Sequence, residues 1–156
     1  MENTRTLADV YTELGEPFPI ALVEVKPGAT TKDKTKALAL AYCDARAYQD
    51  RLDVVIGPDN WQVCYKPLPF GTAVLCRLSL LGIVREDVGE CDPTDPNAYT
   101  SAVAQAFKRA CSAFGLGRDL YTLPQTWAAY DEQKKAFVDA ASVARSLYHR
   151  AGLPLE

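Results

Sequence analysis

Histidine is almost missing from this 156-residue chain, which has only His149. Nucleophilic catalysis by a serine or cysteine generally needs a neighbouring imidazole as its base, so the composition argues against a hydrolase of that kind. A Walker-type phosphate loop is also missing, because the glycines at 115 and 117 follow a predicted helix instead of preceding one. We expect a protein that is not an enzyme, with no catalytic residue, no use of ATP and no other cofactor.

Paired cysteine motifs and long apolar runs are lacking as well. The five cysteines are an odd number and form no Cys-x-x-Cys pair, which disfavours a disulfide framework and a zinc site. Free thiols within apolar patterns indicate a reducing compartment. No stretch of about 18 apolar residues exists, and the N-terminus has no signal-type apolar core. These features predict a cytoplasmic protein with no bound metal and no membrane partner.

The chain carries no excess of positive charge, since its formal net charge is -3 and its pI is near 5.2. Any nucleic-acid site must therefore be a local groove and not a global basic field. Charge is unevenly distributed along the chain. Between residues 96 and 118 there are three cations, Lys108, Arg109 and Arg118, and no acid, whereas residues 85–95 contain one cation and five acids.

Hydrophobic periodicity predicts an α+β fold in which an antiparallel three- to four-stranded sheet is flanked by helices. One globular domain is expected over residues 1–156, because this length suffices for a single hydrophobic core. The predicted elements are a helix at 6–14, a strand at 17–28, a helix at 33–56, strands at 61–68, 72–84 and 85–89, and helices at 101–114 and 131–149.

The predicted helix at 101–114 has the most informative pattern. Val103, Phe107, Ala110 and Phe114 recur at helical spacing and are expected to pack inward, with Thr100 or Ser101 as the N-cap. The opposite face combines two cations with small polar residues and no acid: Ser101, Gln105, Lys108, Arg109 and Ser112. That face suits a phosphate backbone, although periodicity alone favours an ordinary solvated surface.

Three blocks, in order along the chain, resemble the Rad52 single-strand annealing family. They are YCDARAYQDRLDVVIGPDNW at 42–61, REDVGE at 85–90 and AVAQAFKRACSAFGLGRDLY at 102–121. The resemblance implies a strand-rich core that assembles into a ring, with single-stranded DNA in a positively charged groove. Members of the family bind and anneal single strands without ATP, and some are associated with protecting three-prime ends from nucleases.

The resemblance also implies specific DNA contacts. The lysine and arginine of the family's helix match Lys108 and Arg109, and the arginine of its first helical block matches Arg46. We add Arg77, Arg118, Ser101, Gln105 and Ser112 as further DNA-binding candidates from their charge, polarity and position. Aromatic rings near predicted turns can stack on bases, and Tyr65, Phe70 and Tyr99 are candidates, although packing is their more ordinary role.

The expected partners are single-stranded DNA, further copies of the chain in a ring, and other repair proteins, which implies association with the nucleoid. Relatives in the family often have a further C-terminal region, so the sequence is expected to be the annealing core. A second hypothesis is a structural oligomeric scaffold whose segregated charges serve subunit packing. A third, a metal-dependent nuclease, has little support, because Glu86 and Asp87 would point to opposite faces of a strand.

Overall fold

The structure is a computed structural model that describes residues 5–156. These residues divide into two compact units, residues 5–16 with 45–118 (unit 1) and residues 17–44 with 119–156 (unit 2). The elements are α1 Leu7–Leu14, β1 Glu24–Thr30, β2 Lys36–Tyr42, α2 Ala45–Ile56, β3 Trp61–Pro67, β4 Thr72–Leu80, β5 Ile83–Cys91, α3 Ala98–Ala113, β6 Trp127–Asp131, β7 Ala136–Phe137 and α4 Ala140–Arg150. Four helices and antiparallel sheets confirm the predicted α+β class.

Unit 1 contains a three-stranded antiparallel sheet in the order β3-β4-β5. The predicted antiparallel arrangement of these three strands is confirmed, but β4 ends at Leu80, since Leu81 and Gly82 adopt positive φ angles of 49° and 81° and form the hairpin turn. Along β4, alternate side chains from Val74 to Leu80 are buried, as expected for a strand with one face against a helix.

Helix α3 packs closely on this sheet because its inward face consists largely of alanine. Ala98, Ala102, Ala106 and Ala110 recur at every fourth position and are all buried. A methyl group on Gly89 of β5 would overlap the Ala102 carbonyl oxygen and the Ala106 amide nitrogen. The backbone of α3 therefore lies in direct contact with β5, and only glycine at position 89 leaves enough space for this approach.

The predicted inward stripe of α3 is largely confirmed, because Phe107, Ala110 and Phe114 are buried, while Val103 is half-buried. The predicted cap at Thr100 or Ser101 is wrong, since the helix begins at Ala98 and Asn97 is its N-cap. The helix has an extra turn at its start because the Asp95 carboxylate accepts a hydrogen bond from the Asn97 amide. This bond directs the preceding loop toward the start of the helix.

The two other helices of unit 1 are joined by hydrogen bonds. Thr6 and Asp9 form a capping box at the start of α1, as its predicted boundary requires. At the other end, Nη1 of Arg51 in α2 donates to the carbonyl oxygens of residues 13, 14 and 16, which lie at or beyond the end of α1. These carbonyls would otherwise lack partners within the helix.

Unit 2 is built on a four-stranded sheet in the order β1-β2-β6-β7, with α4 packed against it. Its core contains Ala37, Ala39, Phe137, Val143 and Leu147. Antiparallel pairing brings the β1–β2 loop and the β6–β7 turn to the same end of the sheet, where the Tyr130 amide donates to the Thr35 carbonyl at 2.9 Å.

Two helix predictions in unit 2 are wrong in their first halves. Residues 36–42 of the predicted helix at 33–56 form β2, and residues 127–137 contain β6 and β7, ahead of α4. Alanine and leucine favour helices intrinsically, but β2 pairs with strands on both of its sides, and one of them is about 90 residues away. Among residues 5–156, no helix has the length and apolarity needed to cross a membrane.

Candidate nucleic-acid interface

The polar face of α3 lies at the surface of unit 1 but is not uniformly exposed. Ser101 is exposed, whereas Gln105, Lys108, Arg109 and Ser112 are half-buried. The half-buried positions arise because β5 runs along one flank of the helix. Two of these side chains turn toward that strand and make specific contacts with its backbone.

Gln105 and Arg109 cap the outer edge of β5. Nη1 of Arg109 donates to the Val88 carbonyl oxygen at 2.9 Å, and Oε1 of Gln105 accepts from the Glu90 amide at 2.7 Å. The Val88 amide donates to the carboxylate of Asp87 at 2.7 Å. Because β5 is the last strand of its sheet, these backbone groups have no neighbouring strand, and the side chains satisfy them instead.

Two more arginines meet at the C-terminal end of α3. Arg85, from β5, and Arg118, just beyond the helix, both donate to the Ala113 carbonyl oxygen. Arg118 also donates to the Ser112 carbonyl at 2.9 Å and to the Tyr11 hydroxyl at 3.2 Å. Cations suit this position because the terminal carbonyls of a helix carry partial negative charge and lack helical partners.

We call the row Gln105, Arg109, Arg85 and Arg118 the α3–β5 seam. The guanidinium of Arg85 also stacks on the Phe114 ring, with its Cζ 4.8 Å from the ring centroid. In the part of the chain that the structure describes, Arg85 and Arg109 each use one guanidinium nitrogen, Nη1, for their hydrogen bonds to backbone carbonyls. Each guanidinium has five N–H donors, so both can also bind an anion outside the seam.

The other candidate arginines occupy different places in unit 1. Arg46 is exposed in the first turn of α2, and α2 packs on α3 through Tyr48 and Phe107, whose ring centroids are 6.5 Å apart. Lys108 and Ser112 lie on α3 beside the seam, and the Ser112 hydroxyl donates to the Arg109 carbonyl.

Arg77 does not join the other candidates. It pairs with Glu86 across strands β4 and β5, with 3.8 Å between Nε of Arg77 and Oε1 of Glu86. Alternation along β4 places it on the sheet face opposite to buried Cys76 and Leu78, which face α3. The strand position of Arg77 was predicted correctly, but it does not share a surface with α3.

Arg85 is a candidate residue that the sequence analysis did not include. It is the single cation of an acid-rich segment, and counting charge along the chain hid it. The available signal was the alternation of β5, which places residues 85, 87 and 89 on one face, together with the glycine at 89 that marks where α3 crosses. Among residues 5–156, no group of three or more histidine, cysteine or carboxylate side chains could hold a metal ion.

All three aromatic candidates for base stacking are exposed, Phe70 at 68%, Tyr99 at 57% and Tyr65 of β3 at 39%. Phe70 lies between β3 and β4, and Tyr99 lies in the first turn of α3. Their exposure leaves these rings accessible to bases.

Comparison with known proteins gives two kinds of match. Residues 6–137 match the model of the Rad52/22 family of double-strand break repair proteins. The chain is 45% identical over 132 residues to a protein of Deinococcus deserti named single-stranded DNA-binding protein DdrA, and 43% identical over 131 residues to the Deinococcus radiodurans protein of that name. Each match covers 83% of this chain, but 65% and 62% of the two relatives, which is less than two thirds of their length. This chain belongs to the Rad52/22 family of double-strand break repair proteins.

Proposed function

We propose that this protein binds single-stranded DNA during double-strand break repair, without ATP, as an oligomeric ring. Binding at the ring protects three-prime single-stranded ends from nucleases, anneals complementary strands, or does both. The observation that carries the proposal is the concentration of Lys108 and three arginines around the C-terminal half of α3. Its context is a family of repair proteins, with relatives named for single-stranded DNA binding.

The proposed contact surface is the α3–β5 seam with its neighbours on α3. Lys108, Arg109 and Arg85 supply positive charge, and Arg118 extends the row. Ser101, Gln105 and Ser112 leave room beside the cations for a backbone to approach, and Arg46 on α2 is the next candidate. Hydrogen bonds to protein carbonyls fix the arginines in place, so less side-chain entropy is lost when a phosphate binds.

Ring assembly explains how an acidic chain can bind a polyanion. One subunit offers only a few cations, but repetition around a closed ring places them in one continuous groove. Each neutralised phosphate of a single strand contributes about 0.7 to the slope of log affinity against log salt concentration. If each subunit neutralises two phosphates, these contributions add around the ring, and binding becomes tight and strongly salt-dependent.

Charge-matched double variants test the proposal. Lys108→Ala with Arg109→Ala removes two cations from α3, and Lys66→Ala with Arg77→Ala removes two from the other face of the same sheet. Fluorescence anisotropy with a labelled oligonucleotide, without ATP, measures affinity across a salt series. We expect the α3 variant to lose more than tenfold in affinity and the control less than threefold. Equal losses would refute the assignment of the surface.

A structural scaffold is the second candidate, and one observation favours it. Arg109, Arg85 and Arg118 all bond to backbone carbonyls, as arginines with a purely structural role would do. Light scattering coupled to size exclusion separates the two functions. If the α3 variant loses its oligomeric state while its folded subunits still bind DNA like the wild type, the scaffold function is correct.

A further inference from the structure

Five of the eight lysines of the chain lie at one end of the unit 2 sheet. They are Lys32, Lys34, Lys36, Lys134 and Lys135, and we call this group the lysine tip. The first three belong to the β1–β2 loop and the start of β2, and the other two to the β6–β7 turn. All five are exposed. A 3.0 Å ion pair between Lys34 and Glu132 joins the loop to the turn.

The carboxylates near the lysine tip accept hydrogen bonds from their own loops or pair with Lys34. Asp33 accepts hydrogen bonds from the hydroxyls of Thr31 and Thr35, at 2.7 and 2.8 Å, and from the Thr35 amide. Asp131 accepts from the amides of residues 133 and 134, and Glu132 pairs with Lys34. Among the described residues, Lys32, Lys36, Lys134 and Lys135 form no ion pair, so the tip has five positive charges against three negative ones.

The backbone at the lysine tip is unusual for the residues that it carries. Lys34 and Lys135 have φ angles of 56° and 52°, and they are two of the three non-glycine residues between 5 and 156 with positive φ. Glycine or asparagine adopts this conformation at lower cost. Residues in strained backbone conformations cluster at functional sites, so the two lysines are candidates for a functional role.

We propose that the lysine tip is a second DNA-binding surface, which contacts the phosphate backbone independently of base sequence. All of its residues belong to unit 2, whereas the α3–β5 seam belongs to unit 1. Lysine suits this task, since its ammonium group is a compact charge on a flexible stem and needs no fixed phosphate geometry. The inference rests on the proposed function in one respect, namely that DNA is the polyanion.

The test compares two variants of unit 2 that each lose two charges. Lys134→Gln with Lys135→Gln alters the tip, and Arg145→Gln with Arg150→Gln alters exposed arginines of α4. Anisotropy titrations of the full chain with a labelled oligonucleotide give affinity and salt slope. We expect the tip variant to bind about threefold to tenfold more weakly at low salt, with a slope smaller by about 1.4, as two lost phosphate contacts at about 0.7 each require. The α4 variant is expected to keep the wild-type slope.

Two further variants separate charge from structure. Lys134→Arg with Lys135→Arg is expected to restore binding, because it keeps both charges. Lys135→Gly relaxes the backbone, so it is expected to weaken binding while the thermal midpoint stays the same or rises. If Lys135→Gly binds like the wild type, or if the arginine variant binds as weakly as the glutamine variant, the proposal is overturned.

The outcomes also separate this inference from the proposed function. If the wild type binds no oligonucleotide, the proposed function fails. If the wild type binds and the α3 variant weakens binding, but the glutamine tip variant keeps the wild-type affinity and slope, only the inference fails. Labelled polyglutamate serves as a protein-like probe. If the tip variant loses polyglutamate binding and keeps DNA binding, the tip takes an acidic protein partner and the proposal is overturned.

Discussion

The α3–β5 seam and the lysine tip concentrate positive charge in opposite ways. In the seam, Arg85, Arg109 and Arg118 are held by backbone carbonyls at a helix end and a strand edge. In the tip, four lysines form no ion pair within the described residues, while nearby carboxylates bond to their own loops. The arginines of the seam are therefore held in place by tertiary packing, whereas the lysines of the tip are positioned by their local turns.

Gly89→Ala is the substitution expected to disrupt the seam most without changing its charge. The added methyl group would overlap the backbone of α3 at two residues, and neither the strand nor the helix can move without disturbing the core. We expect unfolding in urea to show a loss of about 3 kcal/mol or more, at the upper end of overpacking effects.

Gly28→Ala in unit 2 is the matched control for this prediction. There the new methyl group would meet the Leu40 side chain at 3.0 Å, and a flexible side chain can move. The expected loss is below about 1 kcal/mol, in the range of tolerated changes. Equal losses for the two variants would show that the close approach of α3 to β5 is not a determinant of stability.

A smaller effect is expected from Arg109→Lys, which keeps the charge of the seam. Lysine lacks the planar guanidinium that reaches the Val88 carbonyl, so the edge of β5 loses one cap. We expect about 1 kcal/mol lower stability, the usual size of one hydrogen bond, with an unchanged salt slope of DNA binding.

Lys134→Arg in the lysine tip is the corresponding control for Arg109→Lys, because it also exchanges one cation for another. Among residues 5–156, the Lys134 side chain bonds to no backbone carbonyl, so neither stability nor salt slope is expected to change. A seam variant that behaved like this control in urea would indicate that the Arg109 contact adds little to the fold.

The same comparison shows what the sequence could predict. Unit 1 was predicted well because its signals are local: a helical stripe from Phe107 to Phe114, β-rich runs separated by proline and glycine, and a short helix at 6–14. Unit 2 was predicted poorly, because β2 and β6 hold their conformation through pairing between distant segments. A run such as KALALAY has helical propensity as well as strand alternation, and only the partner strands decide between them.

The positions of the candidate residues were predicted in the same uneven way. Helical periodicity put Lys108, Arg109 and Ser112 on one face, and the structure agrees. It could not reveal that Arg109 and Gln105 turn onto β5, nor that Arg85 and Arg118 share the Ala113 carbonyl, since both facts depend on tertiary packing. The error for Arg77 has a different cause. The sequence showed that side chains alternate along β4, but it did not show which face of the sheet α3 covers.

The smallest expected effect concerns Asp33 in the lysine tip. Hydrogen bonds from the Thr31 hydroxyl, and then from Thr35, lower the pKa of the Asp33 carboxyl below its ordinary value. A carboxyl group with a depressed pKa in the folded state stabilises that state above its unfolded pKa of about 4, and the contribution is lost as pH falls through the folded pKa. Thermal midpoints of the wild type and Asp33→Asn should therefore differ slightly at pH 7 and converge below about pH 3. A difference that stays constant from pH 7 to pH 3 would mean that the ionised carboxylate does not organise the loop, and would leave the backbone strain at Lys34 without its local support.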